Sequence, residues 1–177
     1  YGIPDRRGEA AYDSWERDHA IYTEKKNEDL RAQEDLYRYL MLLERDSVDA
    51  VLFVHDTGLF KDPIAAELLK ELGAETGALR ENTKLILIRN GGERTAILDR
   101  LPGAGETVET EAGTLVGGQT LTLDGMTLPP DDGTDLCMCV MRGGAVIDRV
   151  DFSYVYDPAR GVISQLGAVR ESAANDD

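Results

Sequence analysis

Between Val48 and Gly92 the alternation of apolar and polar positions changes period twice, in the stretch VDAVLFVHDTGLFKDPIAAELLKELGAETGALRENTKLILIRNGG. Ala50 to Val54 is a continuous apolar run, short enough for a strand buried on both faces. Asp62 then offers an N-cap, and Pro63 fits the first helical position, where its missing N–H costs nothing. Ile64, Leu68 and Leu72, with Ala65 and Leu69 beside them, form an apolar stripe at helical spacing, and Gly73 supplies a left-handed stop. A second apolar run, Leu85 to Ile88, follows a polar connection. Strand, helix and strand in this order predict a βαβ unit with a right-handed crossover and two parallel strands, 50–55 and 84–89.

Upstream, Glu9 to Asp46 is charged and free of Gly and Pro, which predicts two helices separated by the polar run Lys25 to Asp29. Tyr12, Trp15, His19 and Tyr22 recur at steps of three and four, and Leu30, Tyr37, Leu40 and Met41 form a second stripe. The aromatic stripe could stack sugars, but its helical spacing favours packing against the sheet. Downstream the pattern becomes all-β. Asn90-Gly91-Gly92 turns the chain into a strand over Thr95 to Leu98, and Asp124-Gly125 joins Leu121 to Leu123 with Met126 to Leu128. Gly143-Gly144 joins Leu136 to Met141 with Val146 to Phe152. The expected fold is α/β: one domain over residues 1–171, with N-terminal helices, a mixed sheet containing the βαβ unit, and a C-terminal set of β-hairpins. These hairpins either extend the sheet or stand against it as a second one. Ser172 to Asp177 reads as a frayed acidic tail.

Composition narrows the partners. A net charge of -15 and a pI near 4.5 repel phosphate backbones and anionic lipid, so neither nucleic acid nor direct membrane binding is expected. No apolar run is long enough to span a bilayer, and 42% apolar residues can build a core. The chain begins at Tyr1, without an initiator Met or a signal peptide, so it is expected to be a segment of something longer. Cys137 and Cys139, two apart in an apolar run, share one face of a strand and read as buried small hydrophobes. Two cysteines complete neither a disulfide framework nor a zinc site, and no metal or cofactor is expected.

For chemistry the best local candidate is His55-Asp56-Thr57-Gly58, at the carboxyl end of the first strand, where open α/β sheets place ligands. A His beside an Asp offers a general base with an orienting carboxylate, or two metal ligands, but adjacent side chains diverge at a strand end. A strand-end Asp also serves hydrolases of the HAD type, which want a second Asp two residues on, where this chain has Gly58. The three Gly-Gly pairs join no strand to a helix at phosphate-binding spacing.

The central unit is similar to the interleukin-like EMT inducer (ILEI) domain, shared by a family of secreted factors and by the stem of an O-mannose N-acetylglucosaminyltransferase. Leu36-Tyr37-Arg38-Tyr39-Leu40 resembles the helix before that family's first parallel strand. His55 to Gly58 resembles its strand-end acidic-Gly segment, Ile64 to Ala74 its helix ending in Leu-Gly, and Arg80-Glu81-Asn82 the opening of its next strand. Arg89 to Gly92 resembles the glycine-rich turn that follows. Gly117 to Gly125 and Asp135 to Phe152 resemble the family's early hairpin and Phe-Asp strand pair, which here follow the central unit. The order is that of a permuted domain or of a fragment joining two copies.

The resemblance implies a non-catalytic extracellular or cell-surface recognition module of a larger surface or envelope protein, with a glycan or protein ligand. By matching position it implies sugar contacts from Asp56 and Arg80, with Thr57 and Asn82 beside them; Thr83 stands where the family has a Trp. Over parallel strands, Arg80 reaches this site only if the connection from Gly77 folds back across the sheet. Two alternatives stay open: a hydrolase using Asp56 and His55, and a purely protein-docking structural domain.

Overall fold

The computed structural model describes residues 9–170, with side chains from Ser14 onward. The expected acidic tail and the side chain of Tyr12 therefore lie outside the described residues. The chain divides into two compact units after Ala32.

The first unit contains one helix, α1 (Glu9–Ala32). Lys25 to Asp29 does not interrupt it, because the run holds no Gly or Pro and long side chains bridge across it. Arg31 pairs with Glu24 at 3.1 Å, and the Lys26 ammonium lies 4.6 Å from the Tyr22 ring centroid. Trp15 stacks on His19 at 5.5 Å, but His19 and Tyr22 are exposed, so the aromatic stripe is not the core face expected from its spacing. The helical break comes instead at 33–35. There Asp35 caps α2 (Leu36–Arg45), its carboxylate accepting from the Arg38 N–H at 3.1 Å. The buried side of α2 is Leu36, Tyr39, Leu40 and Leu43, while Met41 is exposed.

The second unit is the α/β domain. Its main sheet has six strands: β1 (Asp49–Val54), β2 (Leu85–Arg89), β3 (Arg94–Leu98), β8 (Leu136–Arg142), β9 (Ala145–Asp157) and β10 (Val162–Val169), in the order β10-β9-β8-β1-β2-β3. A small sheet is formed by β4 (Thr107–Thr110), β5 (Gly113–Val116), β6 (Thr122–Leu123) and β7 (Met126–Thr127). The downstream hairpins thus do both things expected of them, extending one sheet and building another. Asp124-Gly125 and Gly143-Gly144 turn with positive φ as the hairpin signals require. The one strand of the main sheet that the apolar pattern did not delineate is β10.

Strand direction departs from expectation. β1 and β2 pair antiparallel, Ala50 opposite Ile88 and Phe53 opposite Leu85, and so does every ladder in both sheets. The cause lies in the connection. Helix α3 (Pro63–Glu71) runs to the far end of β2, where Thr95 Oγ1 donates to the Leu72 carbonyl at 2.9 Å. Residues 74–84 then travel back, and the Val54 N–H donates to the Lys84 carbonyl at 2.9 Å. Eleven residues can reach about 35 Å, against about 17 Å for a five-residue strand, so the return fits easily. A parallel crossover needs β2 to start where α3 ends.

The two ends of α3 are built as the sequence predicts. Asp62 accepts from the Ile64 and Ala65 N–H groups at 2.8 and 3.2 Å. At the other end the Ala74 N–H reaches Leu69 O and the Gly73 N–H reaches Lys70 O, each at 2.9 Å, with Gly73 at φ 88°. The buried stripe, however, is Ala65, Ala66, Leu69 and Leu72, and Ile64 is exposed.

Three layers follow from strand alternation. Ala50, Leu52 and Val54 share their face with Met138, Val140, Val150 and Phe152, and Tyr39 of α2 meets Phe152 edge-on at 5.4 Å. The other face, Val51, Phe53, Leu85, Leu87, Cys137, Cys139 and Met141, packs on Ala112, Leu115, Leu123 and Leu128 of the small sheet's unit. Both cysteines are buried side by side, as their spacing predicts.

Asp62 is fully buried and serves three elements at once. Besides capping α3, it accepts from the Ile163 N–H of β10 at 2.9 Å and from the Tyr37 hydroxyl of α2. Burial and that carboxylate push the Tyr37 hydroxyl well above its ordinary pKa. Gly92 is the second fixed point: at φ 110°, a Cβ on it would come within 2.7 Å of the Leu72 backbone.

Asp62→Ala is expected to lower unfolding stability by about 3–5 kcal/mol, since it removes a cap and strands two buried donors. Tyr37→Phe should cost about 1 kcal/mol. Urea denaturation checks both, and equal losses would contradict the triple role of Asp62. Gly92→Ala is expected to lower the melting temperature more than Gly125→Ala, because Gly125 also has positive φ but no neighbour within 4 Å.

Candidate functional site

Three loops meet at the end of the main sheet where β1 stops. The loop after β1 begins with His55 and Asp56, whose N–H groups both donate to the Asp135 carbonyl, at 2.9 and 3.1 Å, in the loop before β8. Tyr154 of β9 donates its buried hydroxyl to the Asp56 carbonyl at 2.6 Å. The loop before β2 reaches the same end through Lys84, beside Val54.

The residues singled out from sequence all occur at this end. Asp56 Oδ1 accepts from the Gly58 N–H at 2.8 Å and caps a short 3-10 turn, Thr57–Lys61. Thr57 is half-buried, and Asn82 is exposed in a turn. The Arg80 guanidinium donates to the carbonyls of Gly77 and Leu79 in its own loop, and the Arg80 backbone N–H donates to Thr83 Oγ1 at 3.0 Å. Among the described residues no ion pair joins Asp56 to Arg80. Thr83 is buried, so no platform stands where the resembled family has its Trp. Tyr156 is a half-buried aromatic near the same loop, with Lys61 Nζ 5.7 Å from its ring centroid.

His55 finds its carboxylate elsewhere than expected. Its Nε2 is 2.7 Å from Asp131 Oδ2, in the loop before β8, while Asp56 is engaged with its own turn. Neighbours at a strand end diverge, and the loop that crosses the end supplies the partner.

Next to this pair is a polar cluster that no sequence motif announced. Asp151 is directly opposite Cys137 on the β8–β9 ladder, and Arg149 is opposite Cys139. Arg149 Nη2 lies 2.6 Å from the Pro130 carbonyl and 3.1 Å from Cys137 Sγ. Its guanidinium is 3.5 Å from Asp132 and 3.8 Å from Asp151. The side chain of Asp151 is 7% exposed, and its Oδ1 is buried without a hydrogen-bond partner.

Charges in the cluster are strongly displaced from their ordinary values. Burial, then contact with Asp132, raises the Asp151 carboxyl to about 6. Burial also pushes on Asp132, but hydrogen bonds from Asp151 and Thr134 outweigh it and leave that carboxyl lowered to about 2. Burial pushes the Cys137 thiol far up and the Cys139 thiol up to about 12. Both are held as thiols rather than as nucleophilic thiolates.

A separate groove of about 500 Å³ is lined by Leu40, Met41 and Leu42 of α2 and Leu68 of α3, together with the polar Gln33, Arg38, Glu44, Arg45 and Glu71.

Because Asp56 caps a turn and Arg80 touches only its own exposed loop, the two should behave differently in a stability assay. Asp56→Ala is expected to cost about 1 kcal/mol, and Arg80→Ala to stay within about 0.5 kcal/mol of the parent in urea titration. A larger loss for Arg80→Ala would mean that it ties the loops together. Compared with known proteins, the chain matches no family model, no curated protein and no solved structure.

Proposed function

We propose that this chain is a non-catalytic, extracellular recognition module of a larger cell-surface or envelope protein, and that it binds carbohydrate at the end of the sheet where β1 stops. The observation that carries the reading is the antiparallel return of β2. It sets the loop with Arg80 and Asn82 at the same end of adjacent strands as the loop with Asp56 and Thr57, joined by the Val54–Lys84 hydrogen bond. The connection through Gly77 makes the required return, running back from the end of α3 to Lys84 beside Val54. A carboxylate, a hydroxyl, a guanidinium and an amide together offer donors and acceptors to neighbouring sugar hydroxyls. Resemblance to the ILEI domain supports the same ligand class and the same place outside the cell.

Binding is weak in this reading, with Kd about 1 mM, because a few solvent-exposed hydrogen bonds barely exceed the cost of immobilising a sugar. Protein docking is the second reading, and the apolar groove between α2 and α3 favours it.

A glycan array followed by amide-resolved NMR titration tests the proposal. Shifts are expected at Asp56, Thr57, Arg80 and Asn82, and Arg80→Ala or Asn82→Ala should weaken them at least about threefold without loss of stability. No shift at millimolar sugar would overturn the carbohydrate reading. Shifts confined to Trp15, His19 and Tyr22 would move the site to α1.

A further inference from the structure

Strand β9 overhangs the sheet end at which β1 stops. Phe152 is in line with Val54 through Leu136, yet β9 runs on to Asp157. The overhang presents Tyr154 and Tyr156 on one face, since alternate residues of a strand share a face. The fold uses the polar end of one tyrosine and not of the other. Tyr154 is buried, and its hydroxyl donates to the Asp56 carbonyl at 2.6 Å. Tyr156 is half-buried, and among the described residues no hydrogen bond engages its hydroxyl.

Tyr156 also stands directly beside the loop after β1. A Cβ on Gly58 would come 2.8 Å from Asp56 Oδ1 and 3.0 Å from Tyr156 Cβ, so the carboxylate and the root of the aromatic side chain flank the same glycine. Further out the ring meets Lys61, whose ammonium is 5.7 Å from the centroid. Lys61 is exposed, and among the described residues no carboxylate pairs with it. A ring face covered by a flexible, solvated side chain is open to a ligand once that side chain swings aside.

We infer that Tyr156 is an aromatic platform of the sugar site, on which the apolar C–H face of one pyranose ring stacks while Asp56 and Thr57 take its hydroxyls. The inference rests on the carbohydrate reading and extends it. A carboxylate beside an aromatic ring matches a sugar, which is hydroxylated at its rim and apolar over its faces. The platform also sets the size of the ligand. Strands β9, β8, β1 and β2 are consecutive in the sheet, so three interstrand spacings, about 14 Å, separate the strand of Tyr156 from that entered by the loop of Arg80 and Asn82. One sugar ring does not touch both. The site fits a linear oligosaccharide that crosses the sheet end, with one unit on Tyr156 and a later unit at Arg80 and Asn82.

NMR titration of the full chain with glucose, galactose, mannose, N-acetylglucosamine and their linear oligomers of two to four units tests the platform. An oligomer is expected to bind at least about tenfold more tightly than its monomer, because its linked units bind as one, with nuclear Overhauser contacts from the Tyr156 ring to pyranose C–H protons. Tyr156→Ala should weaken that oligomer about threefold to tenfold, the range of one aromatic contact, and Tyr156→Phe should stay within about twofold, since a platform needs the ring and not the hydroxyl. Should Tyr156→Ala fail to fold, the ring contacts in the parent chain decide. Shifts at Asp56, Thr57, Arg80 and Asn82 without ring contacts, or with full affinity in Tyr156→Ala, would overturn the platform and leave the carbohydrate reading standing. Equal affinity for monomer and oligomer would overturn the extended ligand. No shift with any of these sugars would overturn both readings.

Discussion

The α/β domain depends on one buried carboxylate. Asp62 is enclosed completely and satisfies donors from α2, α3 and β10, elements that come from opposite ends of the second unit. A buried charge is tolerated when its lone pairs are filled, and here four donors fill them. Helix α3 is therefore fixed at its first turn to the edge strand of the main sheet. A similar arrangement exists two residues along the same helix: Tyr39 donates to Asp148 at 2.5 Å, and Arg170 pairs with the same carboxylate at 3.0 Å. Burial and Asp148 raise the Tyr39 hydroxyl well above its ordinary pKa, so it remains a donor. Two tyrosines of one helix, Tyr37 and Tyr39, thus reach two aspartates that the strands and turns present to them.

With α3 held in this way, the return of residues 74–84 decides the chemistry of the sheet end. An antiparallel β2 puts the loops that follow β1 and precede β2 at one end, and β8 adds a third loop there. The result concentrates loop polar groups over a rigid apolar platform, the usual division of labour between scaffold and binding loops. The carbohydrate reading uses the exposed groups around β1 and β2, and a half-enclosed polar cluster lies beside them at β8 and β9.

Much of the fold was legible because it rests on local signals. The cap at Asp62, the stop at Gly73, the apolar runs of β1, β2 and β8 and the Gly-containing hairpin turns each appear at the residues that carry them. Helix–solvent faces were less legible. Ile64 and Met41 have the right spacing for a core stripe, yet both are exposed, since which arc of a helix is buried depends on what packs against it. Asp56, Thr57, Arg80 and Asn82 were found at one end of the sheet, but the hydrogen bonds of Asp56 and Arg80 turned out to close their own loops.

Sequence alone determined the element types, the capping of α3 and the shared face of Cys137 and Cys139, because each follows from residues a few positions apart. Tertiary structure decided strand direction, because the 74–84 connection is long enough to return to either end of the sheet. It also decided the polar cluster. Counting back from the Gly143-Gly144 turn, an unbroken ladder pairs Cys137 with Val150 and puts Asp148 on the face of the cysteines. The bulge between Val140 and Met141 shifts that register by one, so Asp151 meets Cys137 and Asp148 turns toward Tyr39. A one-residue slip exchanges every side chain between faces, and the competition that sets it, Val150 and Phe152 packing under the helices while Arg149 and Asp151 meet the loop before β8, involves residues far apart in the chain.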